Sequence, residues 1–340
     1  MSRSDNPLNG WTVDRSAIKT IGQGLQRPEC ILAERDGTLW SADARGGVMR
    51  ILPDGTQQLV AQTGHPGIDG NNPTSLILGG KTLPNGIAMN RQGDFLIANF
   101  GTDAIELMQR DGTSRTLYTH IDGQPMGKTN FVLCDSRDRI WFTVTTRLVP
   151  WTRSINEKTA DGYVGLIDDR GIRIVAEGFV GTNEIRLDAG EEWLYVVESN
   201  ARRISRLRVH PDGALSGREI FGPADLRGTP DGFAFDAYGN LWTTIVQTDR
   251  LIALTPEGEV LTLLDDCDPV QASIYDGHFY AGTMTPAIMA ATKGSIAPWM
   301  ASLTFGGPDL RTVYLGSLMG TVIPYFEAPV AGLSMAHWKR

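Results

Sequence analysis

The chain has 340 residues, 41% of them hydrophobic and 21% charged, and a formal net charge of −8. That is the composition of a globular protein, and its acidity excludes a nucleic-acid backbone as partner, which needs a basic stripe. No stretch reaches the roughly 18 apolar residues of a membrane span, the polar segment Met1–Gly10 lacks the apolar core of a secretory signal, and Cys30, Cys134 and Cys267 form no disulfide framework, so the cytoplasm is the expected setting.

Read in order, the chain repeats one unit: a polar pair, an apolar strand, a Gly/Asp/Asn turn, and a strand with an aromatic. The first copy is Pro28-Glu29-Cys30-Ile31-Leu32 followed by Asp36-Gly37-Thr38-Leu39-Trp40. The second is Pro84-Asn85-Gly86-Ile87-Ala88 followed by Gly93-Asp94-Phe95. The third is Thr129-Asn130-Phe131 with Ile140-Trp141, the fourth Thr182-Asn183-Glu184 with Trp193-Leu194-Tyr195. The fifth is Pro230-Asp231-Gly232-Phe233 with Leu241-Trp242, and a weaker sixth is Ala301-Ser302-Leu303 with Val313-Tyr314. Further strand pairs turn at Asp54-Gly55, Asp111-Gly112 and Glu257-Gly258, a strong hairpin signal.

About four strands per unit is one propeller blade. The expected fold is all-β: a single domain over 1–340, a six-bladed β-propeller with four-stranded antiparallel blades around a central channel. Three intervals need insertions, at Ala61–Gly80, Leu148–Gly162 and Asp268–Met300. In the last, Ala272–Ala281 reads as part of a further β unit, which leaves seven blades open, and Pro286–Met300 as a short helix or loop.

Equivalent residues of successive blades form a ring around the axis. Here the ring reads Glu29, Asn85, Asn130, Asn183, Asp231 and Ser302, all bearing side-chain oxygens. Any one alone reads as a turn opener. Together they are a hard, all-oxygen set, and converging carboxylates repel unless a cation lies between them. That suits Ca²⁺, which takes six to eight oxygens; the absence of His and Cys from the ring disfavours zinc.

At these residues the chain resembles the family of gluconolactonase, senescence marker protein 30 and luciferin-regenerating enzyme. The motifs are Pro84-Asn85-Gly86-Ile87-Ala88, Thr182-Asn183-Glu184-Ile185, Pro230-Asp231-Gly232-Phe233-Ala234-Phe235-Asp236 and Phe305-Gly306-Gly307-Pro308-Asp309-Leu310-Arg311. The resemblance implies a six-bladed propeller with a divalent cation at the channel mouth, usually Ca²⁺, with Zn²⁺, Mn²⁺ or Mg²⁺ as other ions of the same site. It implies Glu29, Asn183 and Asp231 as ligands, Asn130 as ligand or substrate contact, and a segment 10–24 that closes the last blade. The chain departs from the family in the Pro28-Glu29-Cys30 order, which is similar to strictosidine synthase-like propellers.

The expected activity is hydrolysis of a small lactone or similar ester, the metal polarising the carbonyl and Asp231 assisting water attack or attacking directly. Asn85, Asn130, Ser302, Arg147 and Trp151 are the candidate substrate contacts, with Trp299 and Met300 at the same mouth. A metal-free strictosidine synthase-like enzyme and a non-enzymatic propeller that binds a protein partner are the alternatives. No G-x-S-x-G elbow is present, and His65 and His278 fall in insertions. The sequence specifies neither the lactone nor an oligomeric state.

Overall fold

The computed structural model describes residues 5–64, 67–68 and 80–339. Most of the 61–80 insertion, with His65, therefore lies outside the described residues.

Among the described residues the strands form six four-stranded antiparallel sheets and one two-residue hairpin. The innermost strands are Ile31–Ala33, Pro84–Met89, Thr129–Cys134, Thr182–Leu187, Thr229–Phe235 and Met300–Gly306. Each sheet then runs outward in chain order, as hairpin-connected strands must. The sixth blade takes its outermost strand from the other end of the chain. Lys19–Ile21 pairs with Ile323–Glu327 in the register Lys19↔Tyr325 and Ile21↔Ile323. That pairing ties the two ends of the circle together through backbone hydrogen bonds.

The hairpin between the first and second strand of a blade carries a recurring device. Glu34 accepts the indole N–H of Trp40 at 2.6 Å, Asp135 that of Trp141 at 2.9 Å, and Asp236 that of Trp242 at 2.9 Å. The same Asp236 carboxylate accepts the backbone N–H groups of Tyr238, Gly239 and Asn240. One acid thus closes the turn and fixes the ring of the following strand. The ring then packs across the blade boundary: Trp40 on Phe95 at 4.8 Å between centroids, Trp242 on Phe305 at 5.3 Å. Buried aromatics of this size carry much of the apolar burial between blades.

Asp236→Ala is expected to cost at least about 3 kcal/mol, because it strands several buried donors at once. A lowered urea midpoint at unchanged slope is the readout, and a loss below about 1 kcal/mol would contradict this role.

The segment between blades five and six is helical, so the seventh-unit reading of Ala272–Ala281 is overturned. Helix α1 spans Pro269–Ala281 and α2 spans Pro286–Ala291. Asp268 caps α1 through the amides of Val270 and Gln271, Pro269 opens it, and Gly282 ends it in the left-handed region at φ 66°. Tyr275 and Phe279, four apart, form its buried face. No helix among the described residues is long and apolar enough to cross a membrane.

Candidate active site

The ring residues stand where each innermost strand begins, and the local backbone there is irregular in a repeated way. Register shifts fall between Pro84 and Ile87, Thr129 and Val132, Thr182 and Ile185, and Pro230 and Phe233. Asn85, Asn130, Asn183 and Asp231 each lie inside such a bulge. A bulge bends the strand and re-aims a side chain. The residue after the ring position must then fit against a neighbouring blade. A Cβ on Gly86 would stand 2.5 Å from the Phe131 ring, and one on Gly232 would stand 2.5 Å from Glu184 Oε1.

Glu29, Asn85, Asn130, Asn183 and Asp231 line one pocket of about 110 Å³ at the channel mouth, together with Arg27. Glu29 is 1% exposed and Asp231 5%. Asn85 donates to Glu29 Oε1 at 3.2 Å and to the Asn130 carbonyl at 3.0 Å, and its own Oδ1 accepts from Arg27 Nη2. Both ends of the Asn85 amide are therefore committed to other floor groups. Asn183 donates to Ser199 Oγ at 3.0 Å. Two floor oxygens have no partner although they are buried: Glu29 Oε2 and Asn183 Oδ1.

Burial raises the Asp231 carboxyl well above the usual range, and the neighbouring charges of Glu29 and Glu184 push it further. Burial raises Glu29 as well, against the pull of the Arg27 guanidinium. On this floor two carboxyls face the single guanidinium of Arg27.

The remaining sequence candidates fall elsewhere or higher up. Trp151 and Trp299 line the pocket wall. Arg147 is exposed, stacked 4.5 Å over the Tyr163 ring, and does not line the pocket. Ser302 is paired with Gly316 beyond the sixth-blade bulge, and its hydroxyl donates to Glu184 Oε1 at 2.6 Å rather than entering the pocket. Met300 is buried in the core and also lies off the lining. His278 is on α1 and bonds Thr283.

Arg27 lines the floor while Glu184 and Arg186 lie off its lining, and none of the three carries a repeat signal. Arg27, 5% exposed and in the left-handed region at φ 57°, enters the pocket from two residues before Glu29. Its Nη1 reaches the Pro84 carbonyl at 3.1 Å, and its Nε is unpartnered. Glu184 and Arg186 form an ion pair at 3.0 Å on the innermost strand of the fourth blade, with the Arg186 guanidinium 4.6 Å over the Phe131 ring. A positively charged residue two before a ring position, and an acid directly after one, were the only available signals.

The roof comes from the insertion. Tyr275 of α1, Met289 of α2 and Trp299 close the pocket, and Arg202 binds α1 through Asp276 and the Tyr280 hydroxyl. The segment from 294 to 300 is held by two acids. Asp249 accepts the amides of Gly294, Trp299 and Met300, and Asp266 those of Ser295 and Ile296. A larger cavity of about 520 Å³ lies at the other end of the inner strands, lined by Leu187, Phe305 and Met335, but it contains no ring residue.

Burial pushes the Asp249 carboxyl up to about 6, against the pull of the three amides it accepts. The folded protein thus holds that proton more tightly than the unfolded chain. The resulting stability is full below the unfolded value near 4 and is lost as pH rises through about 6. The stability of the protein relative to Asp249→Asn is expected to fall by up to about 3 kcal/mol between pH 4 and pH 7. Urea midpoints of both proteins across that range are the measurement, and a flat difference would remove Asp249 from the pH response.

The donor set fits a hard cation. Two carboxylates and two amides of four blades share one buried cavity, with unpartnered oxygens on Glu29 and Asn183. Among the described residues no group of three or more His, Cys, Asp or Glu is arranged to hold a metal, so the amide oxygens of Asn130 and Asn183 are essential to that fit.

The fold is shared with solved structures. A putative gluconolactonase superposes with a TM-score of 0.68 at 17% identity, covering 97% of this chain and 98% of that one. A gluconolactonase of Xanthomonas campestris gives 0.65 at 18% identity, over 91% and 89%. A calcium-binding regucalcin of Agrobacterium tumefaciens gives 0.65 at 13% identity, over 93% and 95%. In sequence, 147 residues are 24% identical to the 6-deoxy-6-sulfogluconolactonase of Pseudomonas putida, spanning 43% of this chain and 40% of that relative's length. Residues 81–266, more than half of the chain and four of the ring positions, match the SMP-30/gluconolactonase/LRE-like region, and the chain therefore belongs to that family.

Proposed function

We propose that the protein is a calcium-dependent hydrolase of a small lactone, with the floor of the channel-mouth pocket as its active site. The observation that carries the reading is the pair of buried, unpartnered oxygens on Glu29 and Asn183 in one cavity with Asp231. Family membership and the lactonase names among the relatives point to the same reaction class.

Glu29, Asn183, Asp231 and Asn130 would hold the ion. Bound there, it would polarise the lactone carbonyl and stabilise the charge that develops on its oxygen. Asp231 takes the proton of the attacking water. A carboxylate near a cation is a weak base, but a strained cyclic ester demands little of its base. Asn85 fixes Glu29 and Asn130 in position through its amide. The roof of Tyr275, Met289 and Trp299 excludes bulk water, which strengthens the electrostatics of the floor.

The test is metal analysis of the purified protein together with turnover of a lactone panel with calcium and with chelator. Stoichiometric divalent cation and chelator-sensitive hydrolysis are expected. Hydrolysis that survives complete removal of the metal would shift the reading to a metal-free propeller enzyme. No turnover and no cation would leave a binding propeller.

A further inference from the structure

We propose that the pocket selects lactones bearing alkyl or aryl substituents over polyhydroxylated sugar lactones. This specifies the substrate class of the site and rests on the lactone-hydrolase reading above.

The pocket has two layers of different chemistry. Its floor is the oxygen-rich ring with Arg27. Its walls and roof are apolar: Phe100, Trp151, Ile155, Met289, Trp299 and Leu318. Most of these also pack on one another. Ile155, Met289 and Trp299 belong to one apolar cluster with Tyr275, and Trp151 stands 5.2 Å edge-on to Phe100.

The polar side chains at wall height are already engaged. Thr145 Oγ1 donates to the Thr182 carbonyl at 2.8 Å, and Ser199 Oγ to the Pro230 carbonyl at 2.6 Å. Asn200 Nδ2 donates to the Ser154 carbonyl at 2.8 Å, and Thr229 faces the Tyr275 hydroxyl at 3.4 Å. Among the described lining residues away from the floor, Gln247 alone has a buried polar atom without a partner, its Oε1.

The Gln247 and Asn200 amides are the wall groups left to orient a substrate by hydrogen bonds. A sugar lactone brings several hydroxyl groups, and most would be stripped of water with nothing to replace it. Each such hydroxyl weakens binding by roughly an order of magnitude. An alkyl or aryl substituent meets the opposite balance, since it gains from leaving water against Trp151, Ile155 and Met289. Tyr275, Met289 and Trp299 come from the insertion between blades five and six. The selectivity is thus built into the cap, while the reaction is built into the ring.

The experiment compares a 5-alkyl δ-lactone with glucono-1,5-lactone, two rings of the same size, on the calcium-loaded protein. The alkyl lactone is expected to have at least a tenfold higher kcat/KM. Calorimetric binding of the two corresponding lactams, which resist hydrolysis, is measured in parallel and is expected to show the same order. Met289→Gln and Ile155→Asn should each narrow the lactam preference by adding a wall partner. Equal or reversed preference in the lactams overturns the proposal and leaves lactone hydrolysis standing. Alkyl preference in the lactams with no turnover of either lactone supports the pocket class and overturns hydrolysis.

Discussion

Asp231→Asn is expected to lower kcat/KM for a lactone by about 10²- to 10⁴-fold, the usual contribution of a positioned base. The same substitution should leave the calcium-free protein at least as stable as the parent. Asp231 is 5% exposed, and its carboxyl faces the charges of Glu29 and Glu184 with Arg27 and a hydrogen bond from Asn183 in opposition. Burying a carboxylate among carboxylates costs stability. An isosteric amide removes that charge and keeps the volume. Lost activity with retained or raised stability is the pattern expected of a site whose charges serve chemistry rather than folding. Initial rates at saturating calcium and melting in chelator test both halves. Full turnover by the variant would remove Asp231 from the reaction, as base and as nucleophile. A lower chelator midpoint would mean that Arg27 and Asn183 more than compensate its charge.

The propeller was legible in the sequence because each blade repeats the same physical problem. An acid that closes the first hairpin and receives an indole six residues on recurs as Glu34/Trp40, Asp135/Trp141 and Asp236/Trp242. The ring was legible for the same reason, since Asn85, Asn130, Asn183 and Asp231 open their strands at equivalent points.

What escaped the repeat was local. Ala272–Ala281 has the aromatic and branched content of a strand, yet Asp268, Pro269 and Gly282 supply both helix caps, and capping prevailed over composition. In the sixth blade the register shift falls between Met300 and Ser302 and encloses Ala301, so Ser302 resumes pairing instead of reaching the pocket. Bulges have no reliable sequence signature. Arg147 lies at the edge of an insertion that offers a cation and an aromatic, but its guanidinium stacks on the ring of the buried Tyr163 instead of entering the pocket. Arg27 precedes the first blade altogether, where no periodicity constrains where a side chain points.

Arg27 carries the second large expectation. Arg27→Met keeps most of the side chain's apolar stem but removes the guanidinium that counters both Glu29 and Asp231, leaving Glu29 only the weaker pull of Arg186. It also takes away the donors to the Pro84 carbonyl and Asn85 Oδ1. Losing a buried charge that faces two buried carboxylates, together with its hydrogen bonds, is expected to cost about 3 kcal/mol, so the melting midpoint in chelator should fall by several degrees. Calcium should narrow the gap. With the guanidinium gone, a divalent ion meets the same oxygens without a competing positive charge, and its affinity should rise at least tenfold. An ion present at 100 times its dissociation constant returns about 2.7 kcal/mol by mass action. The variant and the parent should therefore differ widely in chelator, and saturating calcium, which stabilises both, should close about 1.4 kcal/mol of that gap for each tenfold rise in affinity. A gap that calcium does not narrow would mean that Arg27 and the cation do not share one cage, and that the ring of Glu29, Asn183 and Asp231 is balanced by the guanidinium alone.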